Sequence, residues 1–278
     1  ESELKLNLSS TKNIDTLNCS KENSGVETKR KCEFKVYNVG QALATSLSYE
    51  NAPPFLYFDY GMPYARNSFT RPTQVNMPTI PDTTIIISHV DKDHWFRIAD
   101  DLNAYQCHWF IPDQPRRTQL NHKLAEIIVH GGSVHIINTD VAFQAGKLTC
   151  GGVSKIDPSR DANHVHETGL TMRIQAQDVN GKELNILIAG DQRYDYVEQS
   201  QLNDLDILVA SHHGGAFCWS TRGIIPMARN PKTSVAIYCY GLNNTHQHPS
   251  KLTDYNAADW QQAHHTCRNG DYVITITF

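Results

Sequence analysis

The stretch "SHVDKDHW" at residues 88–95 places two histidines and two aspartates directly behind a short apolar run. An extended segment alternates its side chains, so His89, Asp91 and Asp93 should share one face, and His94 should fall at the turn into a helix. Polar groups at the edge of a core are costly to desolvate unless a divalent cation supplies compensating charge. The pattern therefore predicts ligands for two adjacent metal ions. The alternative is that Asp91 or Asp93 caps a helix and the histidines are simply exposed.

Ten short runs rich in β-branched and aromatic residues predict strands on either side of this stretch. They are "EFKVYNVG", "FLYFDYG", "TTIIISH", "CHWFIP", "SVHIIN", "GLTMRIQAQ", "LNILIAGD", "LDILVASHH", "SVAIYCYG" and "YVITITF". Helices are predicted at about residues 93–103, 114–130, 195–203 and 253–265. The mixture indicates an α/β fold.

Polar side chains follow five of these runs at the point where each run ends. They are Asp59, His89, Asp191, His212 and, in the loop after the run ending at Gly241, His246 and His248. The carboxyl ends of strands are where loops hold reactive groups on a rigid frame. Asp191 follows a glycine turn and its carboxylate can bridge two ions, while "SHHGG" adds His213. A turn aspartate and surface histidines are the alternative interpretation.

The composition limits the classes of protein that the chain can form. With 278 residues, 40% of them hydrophobic, it can bury a full core, so residues 31–278 are interpreted as one domain and residues 1–30 as a polar tail or edge segment. The net charge of −4 provides no global basic field, so an anionic substrate must be held locally.

The sequence also bears on the cellular compartment. No apolar stretch reaches the roughly 18 residues of a spanning helix, and no signal-peptide pattern opens the chain, so we expect a cytoplasmic protein without a membrane segment. The first residue is not Met, which leaves a removed leader as an open alternative. The seven cysteines contain no CxxC pair, although Cys19 and Cys32 could pair if the protein were exported.

Eight motifs occur in order between about Cys32 and Phe278. They are "VYNVGQALA" (36–44), "YFDYG" (57–61), "SHVDKDH" (88–94), "HETGLTMRI" (166–174), "GD" (190–191), "SHHGG" (211–215), "YGLNNTHQHPS" (240–250) and "NGDYVITITF" (269–278). Together they resemble the metallo-β-lactamase fold, specifically its ComEC-type (competence protein) branch, whose histidine–aspartate motif has Asp where the common version has a second His. The first motif departs from that branch at Asn38 and Ala42.

The resemblance implies a four-layer αββα sandwich with a dinuclear metal site at one edge of the paired sheets. His89 and Asp91 would bind one ion, and Asp93 and His94 would bind the other. Asp191 would bridge the two ions. The expected activity is hydrolysis by a metal-activated hydroxide.

The resemblance also bears on three further positions. Either His212 or His213 would complete the shell of the second ion, because neighbours at an extended strand end cannot both point inward. The common fold takes a further histidine from the region of His164 and His166, but the ComEC-type branch usually lacks that ligand, so we interpret His166 as a loop residue. Aspartate in place of histidine favours Mn²⁺ or Mg²⁺, with Zn²⁺ as an open alternative.

The most consistent activity is that of a phosphodiesterase or nuclease acting on DNA or RNA, alone or with a protein partner in a larger assembly. Asp93 and Asp191 are the expected catalytic carboxylates, and His248 is the expected acid or phosphate-holding residue. The alternative for His248 is a loop histidine held by Pro249.

The basic strip Arg116, Arg117 and Lys123 is interpreted as a solvated helix face rather than a nucleic-acid contact. Two other functions stay open. One is a small-molecule hydrolase acting on a phosphocholine-type ester, a lactone or an amide with the same metals. The other is a partner-binding module without enzymatic activity.

Overall fold

The computed structural model describes residues 31–137, 143–145, 148–152, 165–216 and 225–277. The segment 1–30, Cys19 and His164 lie outside these residues, so the tail and the Cys19–Cys32 pair stay predictions. The strands in the described part are β1 (Lys31–Val36), β2 (Ala44–Tyr49), β3 (Pro54–Tyr60), β4 (Thr84–Ile86), β5 (His108–Pro112), β6 (Ser133–Ile137), β7 (Phe143–Ala145), β8 (Leu148–Gly152), β9 (Leu170–Gln177), β10 (Glu183–Ile188), β11 (Ile207–Val209), β12 (Val235–Tyr238), β13 (Gln262–His265) and β14 (Tyr272–Thr277).

The helices are fewer and shorter than the strands. The α-helices of the described residues are α1 (Thr118–Val129), α2 (Gln199–Leu202), α3 (Leu252–Ala257) and α4 (Thr266–Asn269). Short 3-10 helices cover Ala65–Thr70, Lys92–His94, Phe96–Asp100, Leu102–Gln106, Val165–Glu167, Tyr194–Tyr196 and Ser211–Gly214.

All ten strands predicted from the sequence are confirmed, but three of the four helix predictions need correction. The segment 195–203 holds only the end of the 3-10 turn Tyr194–Tyr196 and the four-residue helix α2. The segment 93–103 is a series of 3-10 turns rather than one helix. The pattern at 253–265 forms a helix only as far as Ala257, and Gln262–His265 instead pairs with β12 as a parallel strand. A neighbouring strand with free hydrogen-bonding groups therefore overrides the local helical pattern there.

The strands form one large sheet that divides into two halves. Its order is β13-β12-β11-β10-β9-β14-β1-β2-β3-β4-β5-β6, and β8 also pairs with β9 and with β7. Within the described residues, the backbone pairing of β9 with β14 is limited to Gln177 and Thr277. We call β14 and β1–β6 the first half-sheet, and β7–β13 the second half-sheet.

Alternating side chains on these strands build three apolar cores. Phe58 and Ile86 of the first half-sheet pack with Ile186 and Ile188 of the second in a central core. The opposite face of the first half-sheet packs against α1 and the 3-10 turns, and the opposite face of the second packs against the region of α3. Each fully buried aliphatic side chain contributes roughly 1.5–3 kcal/mol. Three cores between four layers give the αββα order that the resemblance implies.

The topology brings the reactive loops to one edge. β3–β6 run parallel to one another, as do β10–β13, so the loops at their carboxyl ends emerge together. No helix in the described part of the chain is long and apolar enough to cross a membrane.

Candidate metal centre

The loop after β4 delivers the first four polar side chains. The extended backbone ends at Asp91, and the 3-10 turn Lys92–His94 carries the next two. Strict alternation predicted that Asp93 shares the face of His89 and Asp91. That prediction is wrong, because Asp93 lies in the turn. The side chain of Asp91 makes no capping bond to this turn. Its Oδ2 atom instead lies 3.5 Å from Nε2 of His89, which argues against the helix-cap alternative.

His166 also lies at this site, although the resemblance to the ComEC-type branch implies a loop residue there. It sits in the turn before β9, and its Nε2 atom is 3.2 Å from Oδ2 of Asp91. The sequence signal for His166 is the motif "HETG" immediately before β9.

Asp191 occupies the centre of the cluster. β10 ends three residues before it, and Gly190 turns the chain with a φ of 57° where a Cβ would lie 2.2 Å from Oγ of Ser88. Asp191 Oδ1 is 3.3 Å from Nε2 of His94 and 3.8 Å from Nε2 of His213. Its Oδ2 atom is 3.9 Å from the Nε2 atoms of three other histidines, namely His89, His166 and His212.

Both neighbouring histidines after β11 approach the cluster, contrary to the expectation that only one can. Their backbones are left-handed, with φ of 51° at His212 and 56° at His213, so the strand-like alternation behind that expectation does not apply. His213 is the more buried of the two, and its Nε2 atom lies 3.3 Å from Oδ2 of Asp93.

These side chains form three overlapping groups, each with three ligand atoms within 4.8 Å of one another. The groups are His89, His94 and Asp191; His89, Asp91 and His166; and Asp93, His94 and His213. Every residue predicted as a metal ligand lies in this cluster or against it.

The outer nitrogen of four of the imidazoles is held by a neighbouring oxygen. Nδ1 of His94 is 2.9 Å from Oδ2 of Asp59, and Nδ1 of His89 is 3.0 Å from Oγ of Ser88, which itself donates to Asp59. Nδ1 of His213 donates to the carbonyl of Cys239, at 2.7 Å. The second nitrogen, Nε2, is then the one that faces the cluster.

Nδ1 of His212 likewise donates to the carbonyl of Ala216, at 2.8 Å. A hydrogen bond at the outer nitrogen fixes the tautomer and the ring orientation of a histidine that binds metal. The sequence marks Asp59 only as the polar ending of the run "FLYFDYG" and does not indicate its role as a partner of His94.

Three ligand atoms in the centre of the cluster have no hydrogen-bond partner and are suited to bind a cation. Nε2 of His89, Nε2 of His94 and Oδ1 of Asp191 are buried and have no hydrogen-bond partner. An unsatisfied buried polar atom costs about 1–3 kcal/mol. A divalent ion would satisfy lone pairs of both kinds at once. The residues present therefore fit a metal ion by the chemistry of their donor atoms.

Neighbouring charges in the cluster shift the pKa values of its acidic and imidazole groups. Burial disfavours the charged form of Asp191, but the imidazoles of His94, His213 and His212 outweigh burial and hold its pKa well below the usual range. Burial also disfavours the imidazolium of His94, yet the carboxylates of Asp191 and Asp59 raise its pKa well above the usual value. Burial lowers the pKa of His212 to about 4. Protons and metal ions would therefore compete for His94.

The cluster forms the floor of an open cavity of about 520 Å³. Its lining includes the predicted catalytic residues Asp93, Asp191 and His248. The ring of His248 lies 4.9 Å from that of His212, centroid to centroid. Burial lowers the pKa of His248 to about 3, so this imidazole is neutral at physiological pH.

The predicted basic strip does not act as one unit. Arg117 lines the cavity, whereas Lys123 pairs with Glu126 at 2.7 Å. Arg116 lies 4.0 Å from Asp113. A second arginine, Arg66, lines the cavity from the 3-10 helix after β3, and the sequence offered no pattern that singled it out.

Comparisons with known proteins bear on the fold. No family model matches the sequence, and no curated protein matches it. Among solved structures, the chain is similar to the metallo-beta-lactamase fold protein YhfI from Bacillus subtilis, with 14% identity, a TM-score of 0.46, and coverage of 87% of this chain and 99% of that chain.

Two further solved structures bind metals according to their descriptions. CmlA, a diiron beta-hydroxylase from Streptomyces venezuelae, shares 13% identity with a TM-score of 0.46, over 89% of this chain and 54% of that chain. Zn(2+)-bound PqqB from Methylobacterium extorquens shares 13% identity with a TM-score of 0.42, over 84% of this chain and 87% of that chain. The neighbours include proteins of the metallo-β-lactamase fold, and the described strands and helices form the mixed α/β architecture expected from the sequence.

Proposed function

We propose that this protein is a metal-dependent hydrolase that cleaves phosphodiester bonds, as a phosphodiesterase or nuclease. The observation that carries the proposal is the set of buried, unpartnered ligand atoms around Asp191 at the floor of a polar cavity. Asp91, which stands where the common motif has a second histidine, supports the ComEC-type branch of the fold. His166 beside Asp91 is a ligand that this branch usually lacks.

The cluster offers ligands for two ions. His89, Asp91 and His166 would hold one, and Asp93, His94 and His213 would hold the other, with one oxygen of Asp191 facing each set. Imidazole and carboxylate donors without thiolate suit Mn²⁺ or Zn²⁺. When bound, a pair of such ions supplies an activated water and neutralises charge on the attacked group.

The walls of the cavity favour an anionic substrate. Arg66 and Arg117 line it, and neither forms an ion pair with a described residue. Cavities for uncharged small molecules are lined mainly by apolar side chains, whereas this lining is dominated by charged and polar ones. Two guanidinium groups in the cavity wall, unpaired within the described part of the chain, would hold phosphate oxygens, which supports a phosphodiester over a lactone or an amide.

Metal analysis and substrate assays test the proposal. The purified protein should bind about two equivalents of Mn²⁺ or Zn²⁺, and should then cleave bis-p-nitrophenyl phosphate or single-stranded nucleic acid faster than a panel of chromogenic esters and lactones. Asp191→Ala should abolish cleavage. Asp113→Ala removes an exposed carboxylate at the end of β5 and should not. Metal binding without cleavage of any phosphodiester would reject the proposed activity, and failure to bind any divalent metal would reject the centre itself.

A further inference from the structure

We propose that Gln41 is a positioning residue that holds His248 as the tautomer with its hydrogen on Nε2. His248 would then serve as a hydrogen-bond donor to an anionic oxygen of the substrate and not as a metal ligand. The role toward substrate rests on the proposed function, whereas the tautomer follows from hydrogen bonding alone.

The orientation of the Gln41 side chain follows from its neighbours. The backbone N–H of Gly241 can only donate, and it donates to Oε1 of Gln41 at 3.3 Å. The amide nitrogen of Gln41 therefore faces Nδ1 of His248, at 3.1 Å. An amide nitrogen has hydrogens and no lone pair to share, so Nδ1 must accept. A neutral imidazole that accepts at Nδ1 carries its hydrogen on Nε2.

Hydrogen bonds and burial hold Gln41 in this orientation. Gln41 is almost fully buried, and its backbone N–H donates to Oγ1 of Thr70 at 3.0 Å. Thr70 in turn donates to the carbonyl of Asn67 at 2.8 Å. The amide group cannot turn over without losing the bond from Gly241, which would leave a buried oxygen unpaired.

Hydrogen bonds with Asn244 hold the backbone of His248 in the same way. Oδ1 of Asn244 accepts from the backbone N–H of His248 at 3.0 Å, and Nδ2 of Asn244 donates to its carbonyl at 2.8 Å. Gly215 leaves space for the ring, because a Cβ there would lie 2.3 Å from Nε2 of His248. No described residue accepts a hydrogen bond from this Nε2 atom, so its hydrogen is available to a bound molecule.

The donor and acceptor nitrogens of the His248 ring are thus reversed relative to those of His212 and His213. His212 and His213 donate through Nδ1 to backbone carbonyls, which makes Nε2 the nitrogen that would bind an ion, and Nε2 of His213 lies 3.3 Å from Oδ2 of Asp93. His248 accepts at Nδ1 and presents an N–H, although its ring lies only 4.9 Å from that of His212 and 5.9 Å from that of His213. A hydrogen-bond donor beside these histidines can hold a phosphate oxygen without competing for the ions.

The tautomer can be observed directly by ¹⁵N NMR of the full chain loaded with Zn²⁺ and labelled at histidine. The signals of His248 are assigned by their loss in His248→Asn. We expect a protonated Nε2 and an unprotonated Nδ1. A hydrogen on Nδ1, or Nε2 shifted by a bound metal, would overturn the proposal even if the enzyme is active. An inactive wild type with the expected tautomer would instead reject the proposed function and support the positioning role.

A matched pair of variants tests the catalytic consequence. Gln41→Glu keeps the acceptor for Gly241 but replaces the donor with a carboxylate, which draws the hydrogen of His248 to Nδ1. We expect kcat for bis-p-nitrophenyl phosphate to fall roughly tenfold to hundredfold at unchanged metal content. Gln247→Glu adds the same charge in the loop that carries His248, where the side chain is exposed and makes no hydrogen bond with a described residue, and should leave kcat unchanged. Equal effects of the two variants, or none, would contradict the role of Gln41.

Discussion

Replacing Asp191 by asparagine should weaken the binding of the metal ions proposed for the cluster. The change keeps the size of the side chain but converts one of the two oxygens into an amide nitrogen that cannot bind a cation. Asp191 is the residue whose two oxygens face both ligand sets. Loss of an outer partner of a metal ligand typically weakens metal binding by about 10–100-fold, so losing the central ligand should cost at least the upper value.

The expected effect on stability can be worked out from this loss. A metal at a hundred times its Kd stabilises the folded state by about 2.7 kcal/mol, and a hundredfold weaker Kd leaves about 0.4 kcal/mol. For 278 residues, an unfolding entropy of about 2.1 cal/mol/K per residue converts each kcal/mol into roughly 2 °C of Tm. The metal-dependent rise in Tm should therefore shrink by about 4 °C in Asp191→Asn.

Differential scanning calorimetry with and without Zn²⁺ or Mn²⁺ measures this difference within each variant. The comparison removes the effect of the substitution on the metal-free protein, in which the negative charge of Asp191 is itself stabilised by nearby imidazoles. Asp113→Asn is the matched control, because its carboxylate is exposed and outside the cluster. If Asp191→Asn retained the full metal-dependent rise in Tm, Asp191 would not be a ligand and the dinuclear arrangement would be wrong.

Three other outcomes are expected. Asp59→Asn should weaken metal binding by about 10–100-fold in equilibrium dialysis, because His94 loses the carboxylate that orients it, and unchanged affinity would deny Asp59 that role. Arg117→Ala should raise KM for an oligonucleotide more than for bis-p-nitrophenyl phosphate, and equal changes would place Arg117 away from the substrate. Metal binding should release protons and weaken as pH falls from 8 to 6, because His94, whose pKa is raised by Asp191 and Asp59 against the effect of burial, must lose a proton to bind; calorimetry in buffers of different ionisation enthalpy measures the release, and its absence would contradict this titration.

Strands were easier to predict from this sequence than helices. In the run "TTIIISH", Ile86 packs in the central core, whereas Ile85 and Ile87 pack in the outer core of the first half-sheet. Both faces of this strand are buried, so all three residues are apolar. β2 was missed because "ATSLSY" alternates serine with larger residues and looks polar, although nearly all of it is buried between β1 and β3. Its identity as a strand depends on its partners and not on its composition.

The ligand residues could be predicted because strand endings carry them, but their mutual geometry could not. The left-handed backbones of His212 and His213, which bring both rings to the cavity, have no sequence signature beyond the glycines that follow. The contacts of Asp59 with Ser88 and His94 span about 30 residues and appear only when β3 and β4 pair. Gln41 lies over 200 positions from His248, and no local pattern relates them.

The pairing of β14 with β1 has a consequence for how the chain is made. β14 supplies the last described residues, yet it lies between β1 and β9 and pairs with β1 along all six positions from Lys31–Thr277 to Val36–Tyr272. During synthesis on the ribosome, the edge of β1 that pairs with β14 cannot be fully paired until residue 277 has emerged from the exit tunnel. Such late closure slows folding and leaves the nascent chain exposed to aggregation, so we expect its yield in cells to depend on chaperones that bind before translation ends.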